Sequence, residues 1–140
     1  MKRYLLDTNH LSAAIRVIAP LRDDLRQAYR RGHRFYTCWP VLCELEDGIV
    51  QTADPKEYRR TLTTLMDEIR IYPSDWKLVR SYGALAQILR QRGRAMSPAD
   101  ITLAALAIDH RATVLTTDGD FRALREVRTE NWIAQPKSSK

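Results

Sequence analysis

The stretch Pro98–Asp109, PADITLAALAID, has helical spacing and is apolar on nearly every side. A helix without a polar face has to be central and buried, so other elements must be layered around it. Ser97 supplies its cap and Pro98 its first helical position. Upstream, Arg3–Leu6 reads as a short buried strand stopped at Asp7, and Arg34–Cys38 as a second strand. Helical spacing covers Leu11–Ile18 and Leu21–Arg31, broken at Pro20 and closed by Gly32. Pro40 starts another helix, in which Val41, Leu42, Leu45 and Ile49 form one apolar stripe up to Val50. Asp54-Pro55 opens a helix to about Glu68, and Ile69–Tyr72 is a strand candidate. Asp75 caps a long helix with the face Leu78, Tyr82, Leu85 and Leu89, ending before Gly93. Thr113–Thr117 is a strand, Asp120–Leu124 a short helix and Asn131–Ala134 a last edge strand. Strands alternating with helices make an α/β fold with a mainly parallel sheet.

The 140 residues amount to one domain, long enough for a core without disulfides. Cys38 and Cys43, five residues apart, form neither a disulfide framework nor a zinc spacing. The longest clean apolar run, Leu103–Ile108, is far short of a membrane span, and Met1–Asp7 has no signal-peptide character. A cytoplasmic protein without a membrane partner is expected. The charge is less ordinary. Twenty-three cations face 17 acids, a net +6, and eighteen of the cations are arginine. Guanidinium forks suit phosphate geometry, so RNA or DNA is a more natural partner than a membrane.

In an open α/β sheet, sites form beyond the carboxyl ends of the strands. Asp7 ends the first strand and Asp118 ends Thr113–Thr117. Asp100 opens a helix antiparallel to the strand it feeds, so it lies at the same edge. On the helix after the second strand, Asp47 falls opposite the apolar stripe. Glu44 and Glu46 flank that stripe on its two sides, and periodicity does not choose between them. Singly, each acid has a plain explanation: Asp7 stops a strand, Asp100 sits in a capping-box-like start, and Asp118-Gly119 is a turn. Together, carboxylates from four distant segments repel one another unless a cation neutralises them. Oxygen ligation favours Mg²⁺ or Mn²⁺ over zinc.

Four motifs in chain order resemble the PIN-domain nucleases. They are Leu5-Leu6-Asp7-Thr8-Asn9, Glu44-Leu45 with Gly48, Asp100-Ile101-Thr102-Leu103-Ala104-Ala105, and Leu115-Thr116-Thr117-Asp118-Gly119-Asp120-Phe121. The size is most similar to VapC-type toxins of toxin–antitoxin pairs. The resemblance implies a PIN-like three-layer fold, with helices on both faces of the sheet, over residues 1–134, followed by a disordered tail, 135–140. It favours Glu44 over Glu46. It implies a metal-dependent endoribonuclease in which Asp7, Glu44, Asp100 and Asp118 hold Mg²⁺ or Mn²⁺, leaving a 5′-phosphate and a 3′-hydroxyl. Thr8, Asn9 and Thr116 would orient those ligands, and Asp120 would be a fifth acid or an outer group. A cognate antitoxin protein and a homodimer are implied in the same way.

The alternative is a catalytically silent PIN-like module that binds RNA or a partner. A metal-free mechanism would need paired acid–base groups, and of His10, His33 and His110 only His10 is near the acids. Arg30, Arg31, Arg90, Arg92 and Arg94 are candidate RNA contacts, with Tyr29, Phe35 or Tyr36 nearby for base stacking. Against this, arginines at helix C-termini have a structural reason of their own.

Overall fold

A computed structural model describes residues 1–16 and 20–133. The end of the expected Leu11–Ile18 helix and the tail 135–140 lie outside the described residues. The elements are β1 (Arg3–Leu6), α1 (Thr8–Ile15), α2 (Leu21–Arg30), β2 (Arg34–Thr37), α3 (Trp39–Ile49) and α4 (Pro55–Leu65), then β3 (Ile69–Ile71), α5 (Trp76–Gln91), α6 (Pro98–His110), β4 (Thr113–Leu115) and β5 (Thr129–Glu130). A 3-10 turn, Gly119–Ala123, joins β4 to β5.

The five strands pair in the order β3-β2-β1-β4-β5, and every pair is parallel. The chain steps from β1 through β2 to β3 in one direction, then crosses back to β4 on the far side of β1. Right-handed crossovers put α1–α4 on one face and α5–α6 on the other. Helix packing sorts the same way: α1 touches α2, α3 and α4, while α5 lies on α6. The architecture is three-layered, as an α/β chain with an all-apolar helix requires.

That helix is α6. Ala99 through Ala107 are all buried, and α6 packs on β1, β4, α3 and α5. Leu103, Ala104 and Ala105 are fully enclosed. Ser97 Oγ accepts from the Asp100 amide at 3.1 Å, which fixes where the helix starts. α5 folds back on α6 as a helical hairpin, tied near its far end by Ser81 Oγ donating to Asp109 Oδ1 at 2.9 Å.

Two expected boundaries move. α1 begins at Thr8 rather than Leu11, because Asp7 itself is the cap and accepts from the Thr8 amide. The last strand is Thr129–Glu130, not Asn131–Ala134. Trp132 leaves the sheet and packs against Tyr4 and Phe35, with ring centroids 5.1 and 5.9 Å away. Burying an indole on two aromatic neighbours outweighs two more ladder bonds at an edge. Among the described residues, no helix is long and apolar enough to cross a membrane.

Candidate functional site

β1 and β4 are neighbours whose chains depart to opposite sides, so the crevice beyond their carboxyl ends is the switch point of the sheet. Asp7 and the Thr116–Asp118 loop stand on its two lips. The Asp7 amide donates to Leu115 O at 3.0 Å, extending the β1–β4 pairing by one step and bringing the lips together. Asp7 is only 4% exposed. Its Oδ1 accepts from the Thr8 amide at 2.7 Å, and its Oδ2 accepts from the Thr116 hydroxyl at 2.8 Å. The same hydroxyl oxygen accepts from the Asp118 amide at 2.9 Å. Asp118 Oδ1 in turn accepts from the Asp120 amide at 2.8 Å. One threonine thus couples the acid of β1 to the acid loop after β4.

Glu44 joins through Thr8, whose hydroxyl donates to Glu44 Oε1 at 2.8 Å. Glu46 is turned away and pairs with Arg59 at 2.5 Å on the surface. The ambiguity left by helical periodicity is therefore resolved in favour of Glu44 as the neighbour of Asp7.

Asp100 enters from the first turn of α6 and is 9% exposed. Burial pushes its carboxyl up to about 7, and the charges of Asp7, Asp118 and Glu44 add to that, against a lowering hydrogen bond from Ser97. Burial also raises Asp7, while the bonds from Thr116 and Thr8 oppose the rise. Asp100, Asp118 and Asp120 offer oxygens that all lie within 4.8 Å of one another. Asp7 is outside that trio and is linked to it through Thr116. Asp120, expected as an additional or outer acid, thus stands in one group with Asp100 and Asp118. Crowded carboxylates of this kind, with oxygen donors only, fit a hard divalent cation. Without one, their like charges repel at close range.

His10 takes a different part from an acid–base group. It is fully buried, 0% exposed, and burial lowers its imidazole to about 4. The Trp132 amide lies 3.1 Å from Nε2 and can only donate. The ring proton therefore sits on Nδ1, which donates to Asn9 Oδ1 at 2.8 Å. Asn9 Oδ1 also lies 3.3 Å from the Thr117 amide, which donates to it. A neutral histidine and an asparagine thus tie the segment after β5, α1 and the acid loop into one network. Sequence proximity to Asp7 suggested chemistry for His10; its packing shows a structural clamp.

The arginine candidates divide. α2 runs antiparallel to β2, so Arg30 and Arg31 stand at the amino edge of the sheet, opposite the carboxylates. They do not reach this site. Arg92 is engaged on the near side, donating to Ala123 O at 2.6 Å and pairing with Glu126 at 3.4 Å. Arg90 donates to Gln87 Oε1 at 2.8 Å. Arg94 is exposed in the α5–α6 loop that leads to Asp100. The aromatic candidates are occupied: Phe35 is buried, Tyr36 stacks on Tyr72 at 4.1 Å, and Arg34 covers the Tyr29 ring at 4.6 Å.

Residues 4–127 match the model of the PIN domain family. The chain is 25% identical over 130 residues to ribonuclease VapC2 of Rickettsia felis, covering 92% of this chain and 97% of that one. Its fold is similar to the Rickettsia felis VapBC2 structure bound to a promoter DNA fragment, with a TM-score of 0.82 and 24% identity over 93% of this chain and 98% of the other. It is also similar to VapBC-5 from Mycobacterium tuberculosis, with a TM-score of 0.68 and 27% identity over 94% and 99% of the two chains.

Proposed function

The chain belongs to the PIN-domain family, and from that premise we propose that it is a Mg²⁺- or Mn²⁺-dependent endoribonuclease, the toxin of a toxin–antitoxin pair. The observation that carries this reading is the convergence of Asp7, Glu44, Asp100, Asp118 and Asp120 on one crevice. There the oxygens of three acids approach within 4.8 Å, and Asp100 feels the charges of Asp7, Asp118 and Glu44. The 25% identity to a protein named a ribonuclease supports the same reaction class.

Asp7, Glu44, Asp100 and Asp118 would hold the ion, directly or through water, with Asp120 beside them. When bound, a divalent ion supplies an ionised water at neutral pH and offsets charge at the scissile phosphate. The rest is the work of the chain. The Thr116 hydroxyl holds one Asp7 oxygen and the Thr8 amide the other, so the carboxylate keeps one orientation. The N-terminus of α6 favours the anionic form of Asp100, against the burial that favours its proton. Ser97 and Pro98 fix the backbone that carries it. Attack by water on phosphorus, with the P–O3′ bond breaking and the 3′-oxygen taking up a proton, would leave a 5′-phosphate and a 3′-hydroxyl, and no ribose hydroxyl would have to be activated.

One side chain of an antitoxin would have a place to enter beside the acids. Thr8, Ser12, Arg16, Glu44 and Tyr58 border a cavity of about 60 Å³ between α1, α3 and α4. A second copy of the chain would meet an apolar face along α3, where Trp39 and, at the helix's cap, Val50 are 55% and 50% exposed. Incubation of the purified protein with total RNA tests the reading. Cutting with Mg²⁺ or Mn²⁺ and none with EDTA is expected. Unchanged cutting in EDTA contradicts the metal-dependent reaction, and no cutting with either ion supports a silent binding module.

A further inference from the structure

At the amino edge of the sheet the charge is reversed. Lys2, Arg3, Arg111 and Arg128 line a cavity of about 440 Å³. Its one acid among the described residues, Glu130, accepts from Trp132 Nε1 at 2.9 Å. The ion pairs Glu46–Arg59, Glu57–Arg60 and Arg92–Glu126 lie elsewhere, and Arg3 Nη1 donates to His110 O at 3.3 Å. The cradle continues into the α2–β2 turn, because the Lys2 amide donates to His33 Nδ1 at 3.0 Å and Lys2 O accepts from the Arg34 amide at 2.9 Å. Arg30 and Arg31 belong to that turn and are exposed.

One residue is there against backbone preference. α2 and α5 end on left-handed glycines, Gly32 at φ +98 and Gly93 at φ +65. α6 instead ends on Arg111 at φ 55, ψ 48, a region that disfavours a residue with a Cβ. The geometry of the helix end asks for glycine; what arginine adds is a guanidinium on the cavity wall.

We propose that this edge is an RNA exosite, a cradle for the phosphate backbone of single-stranded RNA away from the bond to be cut. The proposal rests on the ribonuclease reading for its choice of RNA. Continuity with the acid edge supports that choice. A cavity of about 210 Å³ beside Thr116 and Asp118 shares Thr129 and Glu130 of β5 with the cradle. A strand held at the acids can thus follow β5 to Arg128, roughly 15 Å away at the rise of a β-strand. Arginine forks match phosphate oxygens along such a path.

The test is binding of a single-stranded RNA of about 16 nucleotides in EDTA, where nothing is cut, across a series of salt concentrations. The variant is Arg111→Gly with Arg128→Gln. Glycine relieves the left-handed backbone, so the melting temperature should not fall, and Mn²⁺ binding at the acid edge should be unchanged. The variant is expected to bind at least about tenfold more weakly, with a log–log salt slope shallower by about 1.4 for the two cations removed. Equal affinity and slope in variant and wild type would overturn the proposal. So would a wild type that does not bind the RNA, or duplex DNA or polyglutamate displacing it more effectively than unlabelled RNA does. RNA that is bound through these arginines but not cut in Mg²⁺ would count against the ribonuclease reading and leave the exosite standing.

Discussion

The two edges of one five-stranded sheet are chemical opposites. At the carboxyl edge two of the acids are drawn inward. Asp7 and Asp100 are buried, and threonines and backbone amides hold the carboxylates in place. At the amino edge Lys2, Arg3, Arg111 and Arg128 are exposed around an open cradle. Both follow from parallel topology. Every strand ends at the same edge, and so does the start of each helix that feeds a strand. The residues that leave strands and open helices therefore collect on one side, and the residues that close helices collect on the other. Helix starts attract acids and helix ends attract bases, so the separation begins as ordinary helix chemistry. Burial acts on it only at the acid edge, where it encloses Asp7 and Asp100.

The comparison breaks most severely at Asp100. Asp100→Asn should lower RNA cleavage in Mg²⁺ by about 10³-fold or more, while circular dichroism reports an intact fold and RNA binding in EDTA stays within about twofold. Loss of cleavage and RNA binding together would mean that the two edges are not separate. Thr116→Val comes next. It leaves Asp7 Oδ2 and the Asp118 amide without their shared partner, and should weaken Mn²⁺ binding about 10–100-fold, as read by calorimetry. Unchanged affinity would show that Thr116 does not organise the ligands.

Stability against pH gives a third test, without metal or RNA. Asp100 rises from an ordinary 3.8 to about 7 on folding. The folded state then holds more protons than the unfolded one, and stability is lost as pH rises from about 4 to about 7. His10 falls from 6.5 to about 4, so its contribution is lost as pH falls through that range. The two slopes oppose each other in the wild type. Asp100→Asn removes one of them: its metal-free melting temperature should match wild type near pH 4 and exceed it by about 5 °C near pH 7. A difference independent of pH would contradict a proton held at Asp100. The smallest effect belongs to Glu46→Gln, which breaks an exposed pair with Arg59 and should leave cleavage within about twofold. Glu44→Gln should lower it by more than tenfold. A reversed order would mean that Glu46, not Glu44, is the acid of α3 that matters.

Much of this was legible before any coordinates. The all-apolar α6 and its Ser97 cap located both the core and Asp100, because a helix without a polar face has one possible environment. The strand ends identified Asp7 and Asp118 by the same edge rule. That rule also applies to Arg30: a helix antiparallel to its following strand starts beside the acids and ends across the sheet from them. Applied to α2, it would have set Arg30 and Arg31, candidate RNA contacts, across the sheet from the acids. Other features were not local. Trp132 has the composition of a strand residue, yet its position depends on Tyr4, Phe35 and the Nε2 of His10, more than a hundred residues upstream in two cases and 97 in the third. The left-handed backbone of Arg111 has no sequence signal, since glycine is the residue that marks such an end. Glu44 was distinguished from Glu46 by family resemblance alone until Thr8 and Arg59 were seen to choose between them.

The most direct measurement is Mn²⁺ binding followed by calorimetry at pH 7 in buffers of different ionisation enthalpy. Wild type is expected to bind the ion saturably and to release a proton, because Asp100 has to ionise to ligate. Asp100→Asn should lose the binding, and the Arg111→Gly, Arg128→Gln variant should keep it. Equal Mn²⁺ binding by wild type and Asp100→Asn, with no proton released by either, would contradict a metal centre at the carboxyl edge.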